Sequence, residues 1–344
     1  MDHVKASPER TPELSALLRG AAYPATAAAP HPRADPAAAD RLPADTWGTA
    51  QLPVGVRLEL TGTARAIDVT YTTATGELGY RGAGAGTTFA VWTGDTLVDE
   101  QPAELGRATV RLRLAPDGER SVVHLPEGMR PTISAVEAVD GAIAPAPAQP
   151  RWLAYGDSIT EGWSASAPAL AWPAVAGRRH GLDVVNLGYA GSARAELVSA
   201  EGIAALPADV VSIAVGTNCW NRIPHSAGLM RELLRAFLAV VRSGHPATPV
   251  VVVSPVVRPD AETTPNLLGA TLADLRAAIE QAVTEQVAAG DRALVLVPGA
   301  DLLDAGLLVD GVHPGDEGHR VLADRIGAAV ADAVAGRTPA GATT

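Results

Sequence analysis

Cysteine is nearly absent from this 344-residue chain, and the single Cys219 excludes both an internal disulfide framework and a cysteine-rich metal site. That usage fits a reducing compartment. Basic patches are missing as well: Lys and Arg are scattered against a formal net charge of −11, so no stripe of cations is available to neutralise phosphates. Nucleic acid is not an expected partner. Pro, Gly or charged residues interrupt every apolar run before it reaches bilayer length, and the first ten residues lack the apolar core of a signal peptide. The expectation is a soluble, cytoplasmic protein with no membrane partner. What the chain does have is apolar residues, 47% of the total, enough for one large or two medium domains.

Composition changes along the chain. Residues 1–45 become rich in Ala and Pro from position 21, which disfavours regular structure and suits an extended arm that wraps the next module or stays mobile. Residues 46–140 read as strands: Val56 to Leu60 and Val110 to Leu114 alternate with period two, and Gly, Asp and Pro recur as turn signals. With no convincing helix among them, they imply an antiparallel β-sandwich or jelly roll. Prolines at alternate positions make residues 141–150 a stiff linker. From 151 to 338 the rhythm is strand then helix, with strands expected at 151–155, 183–187, 209–215, 249–254 and 292–297. Helical spacing is expected at 229–241, 267–288 and 316–335, and residues 339–344 form a tail. Such alternation implies right-handed crossovers and a parallel sheet covered on both faces, with ligands at the carboxyl ends of its strands.

The chemically suggestive residues fall at those ends. Ser158, in Gly156-Asp157-Ser158-Ile159, follows the first strand; Gly188 and Gly191 follow the second; Asn218, in Gly216-Thr217-Asn218, follows the third. Asp310 and His313, in Asp310-Gly311-Val312-His313, follow the fifth. Each block alone has a plain reading, since Gly-Asp-Ser suits a strand-to-helix turn, Asp-Gly is a common turn, and Asn caps or turns. Their conjunction is more telling. A serine hydroxyl needs a histidine to take its proton and a carboxylate to hold that histidine in the right tautomer, and the chain offers all three.

From Trp152 to the last helix the sequence resembles the SGNH hydrolase superfamily, also called the GDSL-type esterases and lipases. The motif residues map one by one onto Ser158, Gly191, Asn218 and His313. Ile159 stands where the family nickname has Leu, a common variant. The resemblance implies a three-layer α/β fold with a flavodoxin-like, five-stranded parallel sheet. It implies Ser158 as nucleophile, His313 as base and Asp310 as its orienting acid, with an oxyanion hole made by the backbone N–H groups of Ser158 and Gly191 and the Asn218 amide. Residues 46–140 also look like the jelly-roll module that precedes the hydrolase domain in some members, including carbohydrate deacetylases and an acyltransferase of antibiotic assembly.

Other candidates carry less. Asp157 reads as a hydrogen-bonding residue of the turn, His319 as a surface or packing histidine on the last helix, and Cys219 as a buried thiol without a base. No His, Asp or Glu cluster has metal-ligand spacing, and the chemistry requires neither metal nor cofactor. Trp163, Tyr189, Trp220 and Asn221 follow site motifs and could line an acyl or alcohol pocket, and Arg258 could meet an anionic group. Core packing explains the aromatics about as often, and for Arg258 an ordinary solvated loop is the stronger reading. The expected activity is hydrolysis of a carboxylic ester, an acetyl or other short acyl group on a sugar-bearing or small-molecule substrate. The alternatives are an acyltransferase using the same acyl-enzyme, and a carbohydrate-binding protein with a vestigial catalytic set. The oligomeric state is left open.

Overall fold

The computed structural model of the chain describes residues 12–26, 29–76 and 86–336. The tail at 339–344 and the first eleven residues of the arm lie outside the described residues. A short helix α1 (Leu14–Leu17) leads into β1 (Leu18–Arg19), and α2 (Ala44–Ala50) precedes β2 (Arg57–Gly62) and β3 (Ala66–Thr73). Six more strands follow: β4 (Thr88–Thr93), β5 (Thr96–Pro102), β6 (Gly106–Arg113), β7 (Ser121–His124), β8 (Pro131–Val139) and β9 (Ile143–Pro145). They form two antiparallel sheets, one ordered β1-β2-β7-β4-β5 with β9 also on β2, the other β6-β3-β8. Leu58, Leu60 and Phe89 of the first sheet share a core with Ile67, Tyr71 and Leu112 of the second.

Two details depart from a reading by composition. The proline-spaced stretch at 141–150 is more than a connector, because Ile143–Pro145 pairs with β2 at a sheet margin where a missing proline N–H is tolerated. In β2, Leu58 and Leu60 face the sandwich core as the alternation predicts, yet Arg57 and Glu59 on the opposite face are buried too. That face meets the parallel sheet. Arg57 donates to Glu59 (2.6 Å), Asp183 (2.9 Å) and the Val184 carbonyl (2.9 Å), and Arg120 also pairs with Glu59.

The remaining chain alternates as expected: β10 (Arg151–Gly156), α3 (Ser158–Glu161), α4 (Trp172–His180), β11 (Asp183–Gly188), α5 (Leu197–Ala205), β12 (Val210–Ala214), α6 (Asn218–Asn221), α7 (Ala227–Gly244), β13 (Val250–Val253), α8 (Leu272–Ala288), β14 (Leu294–Val297) and α9 (Asp316–Ala335). The five strands are parallel, ordered β11-β10-β12-β13-β14. Their side chains alternate between two cores. Leu153, Tyr155, Val211 and Ile213 pack against α5, α7 and α8, while Trp152, Ala154, Val210 and Val251 pack against α4 and α9. Burial on both faces explains the uninterrupted Val250 to Val253 run. In α7 the buried set Met230, Leu234, Phe237, Leu238 and Val241 follows helical spacing. Helix α8 starts later than periodicity alone suggests. A reciprocal capping box between Thr271 and Asp274 sets its first turn, and the Asn266 side chain accepts from Leu268 and Ala270 in the turn before it. Among the described residues no helix is long and apolar enough to cross a membrane.

Candidate active site

The carboxyl ends of β10, β11 and β12 and the loop before α9 converge. Asp157 caps α3 by accepting from Ile159 N (2.9 Å), which places Ser158 at the first helical position with its side chain at the sheet edge. Ser158 Oγ lies 2.9 Å from His313 Nε2, and His313 Nδ1 lies 2.7 Å from Asp310 Oδ2. The i,i+3 spacing explains how one carboxylate serves two purposes. Asp310 Oδ1 accepts from the backbone N–H groups of Val312 (2.9 Å) and His313 (2.7 Å), folding the loop so that Oδ2 meets the imidazole. A Leu308–Pro314 bridge and the Val309 N to His313 carbonyl bond (2.9 Å) close the same loop. With Nδ1–H donating to Asp310, Nε2 presents its lone pair to the serine hydroxyl.

Charge placement agrees with this. Partial burial pushes the Asp310 carboxyl up, but the hydrogen bonds from His313 and the backbone outweigh it and hold the group below the usual carboxylate range, so it stays ionised beside the ring. Asp157 is buried, and desolvation holds it above its ordinary value despite the capping bond. It is a turn residue in this geometry, not the partner of the histidine. Burial also pushes the Cys219 thiol far up, which leaves it a poor nucleophile. His319 is wholly buried, not at the surface: Trp172 N donates to its Nδ1 (3.2 Å), and its Nε2 meets the Trp163 carbonyl (2.9 Å).

Gly191 and Asn218 line the same pocket as Ser158. Gly191 sits at φ +71°, a conformation that favours glycine, and a Cβ there would lie 3.3 Å from the Arg222 guanidinium. Gly188 is required by approach instead, because a Cβ would come within 2.2 Å of Glu161 N. Asn218 Nδ2 donates to the Ser192 carbonyl (2.6 Å), which fixes the amide plane and leaves its second N–H available. Among the described residues neither Ser158 nor Gly191 spends its backbone N–H on a loop hydrogen bond. Such an array can stabilise a tetrahedral oxyanion. Asn218→Ala is expected to lower kcat on p-nitrophenyl acetate by roughly 100- to 1000-fold with little change in KM. A kcat near wild type would remove Asn218 from the donor set.

A pocket of about 220 Å³ opens on these groups, lined by Ser158, Trp163, Asn218, Asn221, Arg258 and His313 among others. Trp163 lies against the His313 ring, with centroids 5.6 Å apart. Two of the anticipated wall residues are elsewhere. Tyr189 is buried, its hydroxyl donating to the Arg33 carbonyl (2.9 Å), because the first residue past β11 turns inward. Trp220 hydrogen-bonds the Thr264 carbonyl (2.8 Å) and lies under Arg258 rather than in the pocket. Arg258 is already met by Asp260 in a bidentate pair (2.8 Å each), so it brings little free charge. Arg222, which sequence reasoning missed, joins the wall; its place four residues after Asn218, one helical turn on, was the available signal. A larger cavity, about 440 Å³, lies between the first sheet and α4 and contains none of these groups.

Comparison with known proteins agrees in scope with this geometry. Residues 154–321 match the GDSL-like Lipase/Acylhydrolase family. No curated protein sequence matches the chain. Among solved structures, a salicylyl-acyltransferase, SsfX3, from a tetracycline biosynthetic pathway is similar at 25% identity and TM-score 0.78, over 96% of this chain and 98% of that one. A GDSL-like lipase described as putative, from Bacteroides ovatus, is similar at 20% identity and TM-score 0.74, over 93% and 96%. A family two carbohydrate esterase from Clostridium thermocellum shares the fold at 14% identity and TM-score 0.63, over 82% and 93%.

Proposed function

We propose that this serine hydrolase, whose residues 154–321 belong to the GDSL-like lipase and acylhydrolase family, removes an acetyl or other short acyl group from a sugar-bearing or small-molecule ester. The observation that carries the reading is the continuous path from Ser158 Oγ to His313 Nε2 (2.9 Å) and from His313 Nδ1 to Asp310 (2.7 Å). Ser158 Oγ attacks the ester carbonyl as His313 takes its proton, and Asp310 stabilises the resulting imidazolium. The N–H groups of Ser158 and Gly191 and the Asn218 amide hold the oxyanion. Collapse of the tetrahedral intermediate expels the alcohol, which takes the proton from His313 and leaves an acyl-enzyme on Ser158. Water, deprotonated by His313, then releases the acid and restores the serine. A pocket of about 220 Å³, below the usual range for drug-sized ligands, supports a short acyl group.

A second reading, acyl transfer to an acceptor hydroxyl, is favoured by the whole-chain similarity to the salicylyl-acyltransferase. The two differ only in what attacks the acyl-enzyme. A fluorophosphonate probe is expected to label Ser158, located by peptide mass spectrometry. Turnover of p-nitrophenyl acetate in the presence of methyl glucoside is expected to yield free acetate as the main product. Acetylated glucoside as the main product would establish transfer, and failure to label Ser158 would remove both readings.

A further inference from the structure

The segment before the sandwich reaches the loop after β11 that carries Gly191. Arg33, 2% exposed, donates from Nη1 to the Gly188 carbonyl and from Nη2 to Glu161 Oε2 (3.1 Å). Its remaining donors hold its own segment, Nη2 to the Thr49 carbonyl (2.6 Å) and Nε to the Leu52 carbonyl (2.9 Å). Glu161 Oε2 in turn accepts from Ala190 N (3.0 Å), and the Arg33 guanidinium lies over the Tyr189 ring at 5.2 Å. The far end of the same loop is held in a similar way. Arg194 Nη1 donates to the Gly191 carbonyl (2.9 Å) while its two Nη atoms form a bidentate pair with Asp45 of α2 (2.9 and 3.0 Å). Thr46, also on α2, donates to Glu196 (3.1 Å), which accepts from Arg194 N (2.9 Å) and the Tyr155 hydroxyl (3.0 Å).

The loop between these anchors is one that would not hold its shape unaided. Besides Gly191, the buried Ala193 (φ +58°) and Ala195 (φ +61°) occupy left-handed conformations that cost an alanine about 1 kcal/mol or more each and persist only where surroundings over-determine them. Two guanidiniums grip its carbonyls at 188 and 191, on either side of Ala190. The peptide between them carries the Gly191 N–H, and Gly191 lines the same pocket as Ser158.

We propose that Arg33 and Asp45 are positioning residues of the oxyanion loop, so that the N-terminal segment is a structural part of the active site. The proposal rests on the esterase reading above. Neither residue touches substrate; each acts through the orientation of the Gly191 N–H, a transition-state contact, so kcat carries the effect and KM does not.

The test uses the full-length protein with p-nitrophenyl acetate, at a temperature where circular dichroism shows each variant folded. Arg33→Ala is expected to lose about 10- to 100-fold in kcat, the scale of a small misplacement in the site, with KM nearly unchanged. Arg33→Lys recovers part of the loss, and Asp45→Asn gives a smaller loss of the same kind. Arg242→Ala, which breaks the half-buried pair with Asp291 (2.8 Å) far from the loop, lowers the melting midpoint and keeps kcat. Combined with Asn218→Ala, Arg33→Ala costs less than the product of the single losses, because both act on one oxyanion. If Arg33→Ala does not fold, Arg33→Lys and Asp45→Asn carry the same kcat-against-KM comparison. A folded Arg33 variant with wild-type kcat, or losses that track melting midpoint alone across all variants including Arg242→Ala, overturns the proposal. Wild-type protein that fluorophosphonate does not label at Ser158 would overturn the esterase reading instead, which separates the two failures.

Discussion

Ser158→Ala is expected to lose roughly 10⁵- to 10⁶-fold in kcat on p-nitrophenyl acetate while keeping the fold, and to lose fluorophosphonate labelling altogether. The size follows from what remains. Without Oγ there is no acyl-enzyme, so only direct attack by water is left, aided by the donors proposed at Ser158 N, Gly191 N and Asn218 for a developing oxyanion. The loss should also be shared. On the proposed mechanism His313→Ala removes the base that activates Ser158, so the double variant Ser158→Ala/His313→Ala is expected to be scarcely slower than either single one. Multiplying losses would mean that the two side chains, though 2.9 Å apart, do not act as a unit. Retained turnover in Ser158→Ala would place the nucleophile elsewhere.

The second large effect is on stability. Arg57→Ala is expected to destabilise the protein by about 3–5 kcal/mol, the range for removing one partner from a buried ion pair. Arg57, Glu59 and Asp183 side chains are 8%, 4% and 12% exposed, and among the described residues Arg151, at 3.9 Å, is the other cation paired with Asp183. Glu59 provides a pH signature. Burial pushes its carboxyl up, but Arg57 and Arg120 outweigh burial and hold it below the usual range. A carboxylate depressed on folding adds stability above its unfolded value, about pH 4.3, and that stability drains away as pH falls through the folded value. Removing Arg57 shrinks the depression. The melting midpoint of Arg57→Ala should therefore fall less than that of wild type between neutral pH and pH 3. Parallel curves for the two proteins would mean that the cluster is not the source of the acid sensitivity.

The chain displays its architecture plainly where local rules govern. The β-branched run Val250 to Val253 reads as a strand buried on both faces, and Met230 to Val241 repeats with helical period, so the parallel sheet and its covering helices are readable from the sequence. The meeting of Ser158, Asp310 and His313 is also foreshadowed, because each stands at the end of an element whose place in a parallel sheet is prescribed. What escapes is whatever depends on partners far along the chain. Alternation in β2 marks Arg57 and Glu59 as outward-facing, and nothing nearby announces that another sheet covers them. Tyr189 and Trp220 sit beside motif residues, yet the direction of one side chain at a strand end is set by packing across the fold. Arg33 lies in a stretch of Ala and Pro that reads only as an extended arm. Its partners Glu161 and Gly188 are 128 and 155 positions away.

That distance bears on how the protein comes into being. Ser158 and His313 are also 155 positions apart, so the Ser158 hydroxyl must wait for an imidazole made much later, as the Arg33 guanidinium must wait for the Gly188 carbonyl. Each closure carries a loop entropy that grows only slowly with length, but each demands that everything between is already compact. During synthesis Arg33 emerges first and His313 last. The power to cleave an ester thus arises at the end of folding, when both ends of the order of synthesis have met on the same few strand termini.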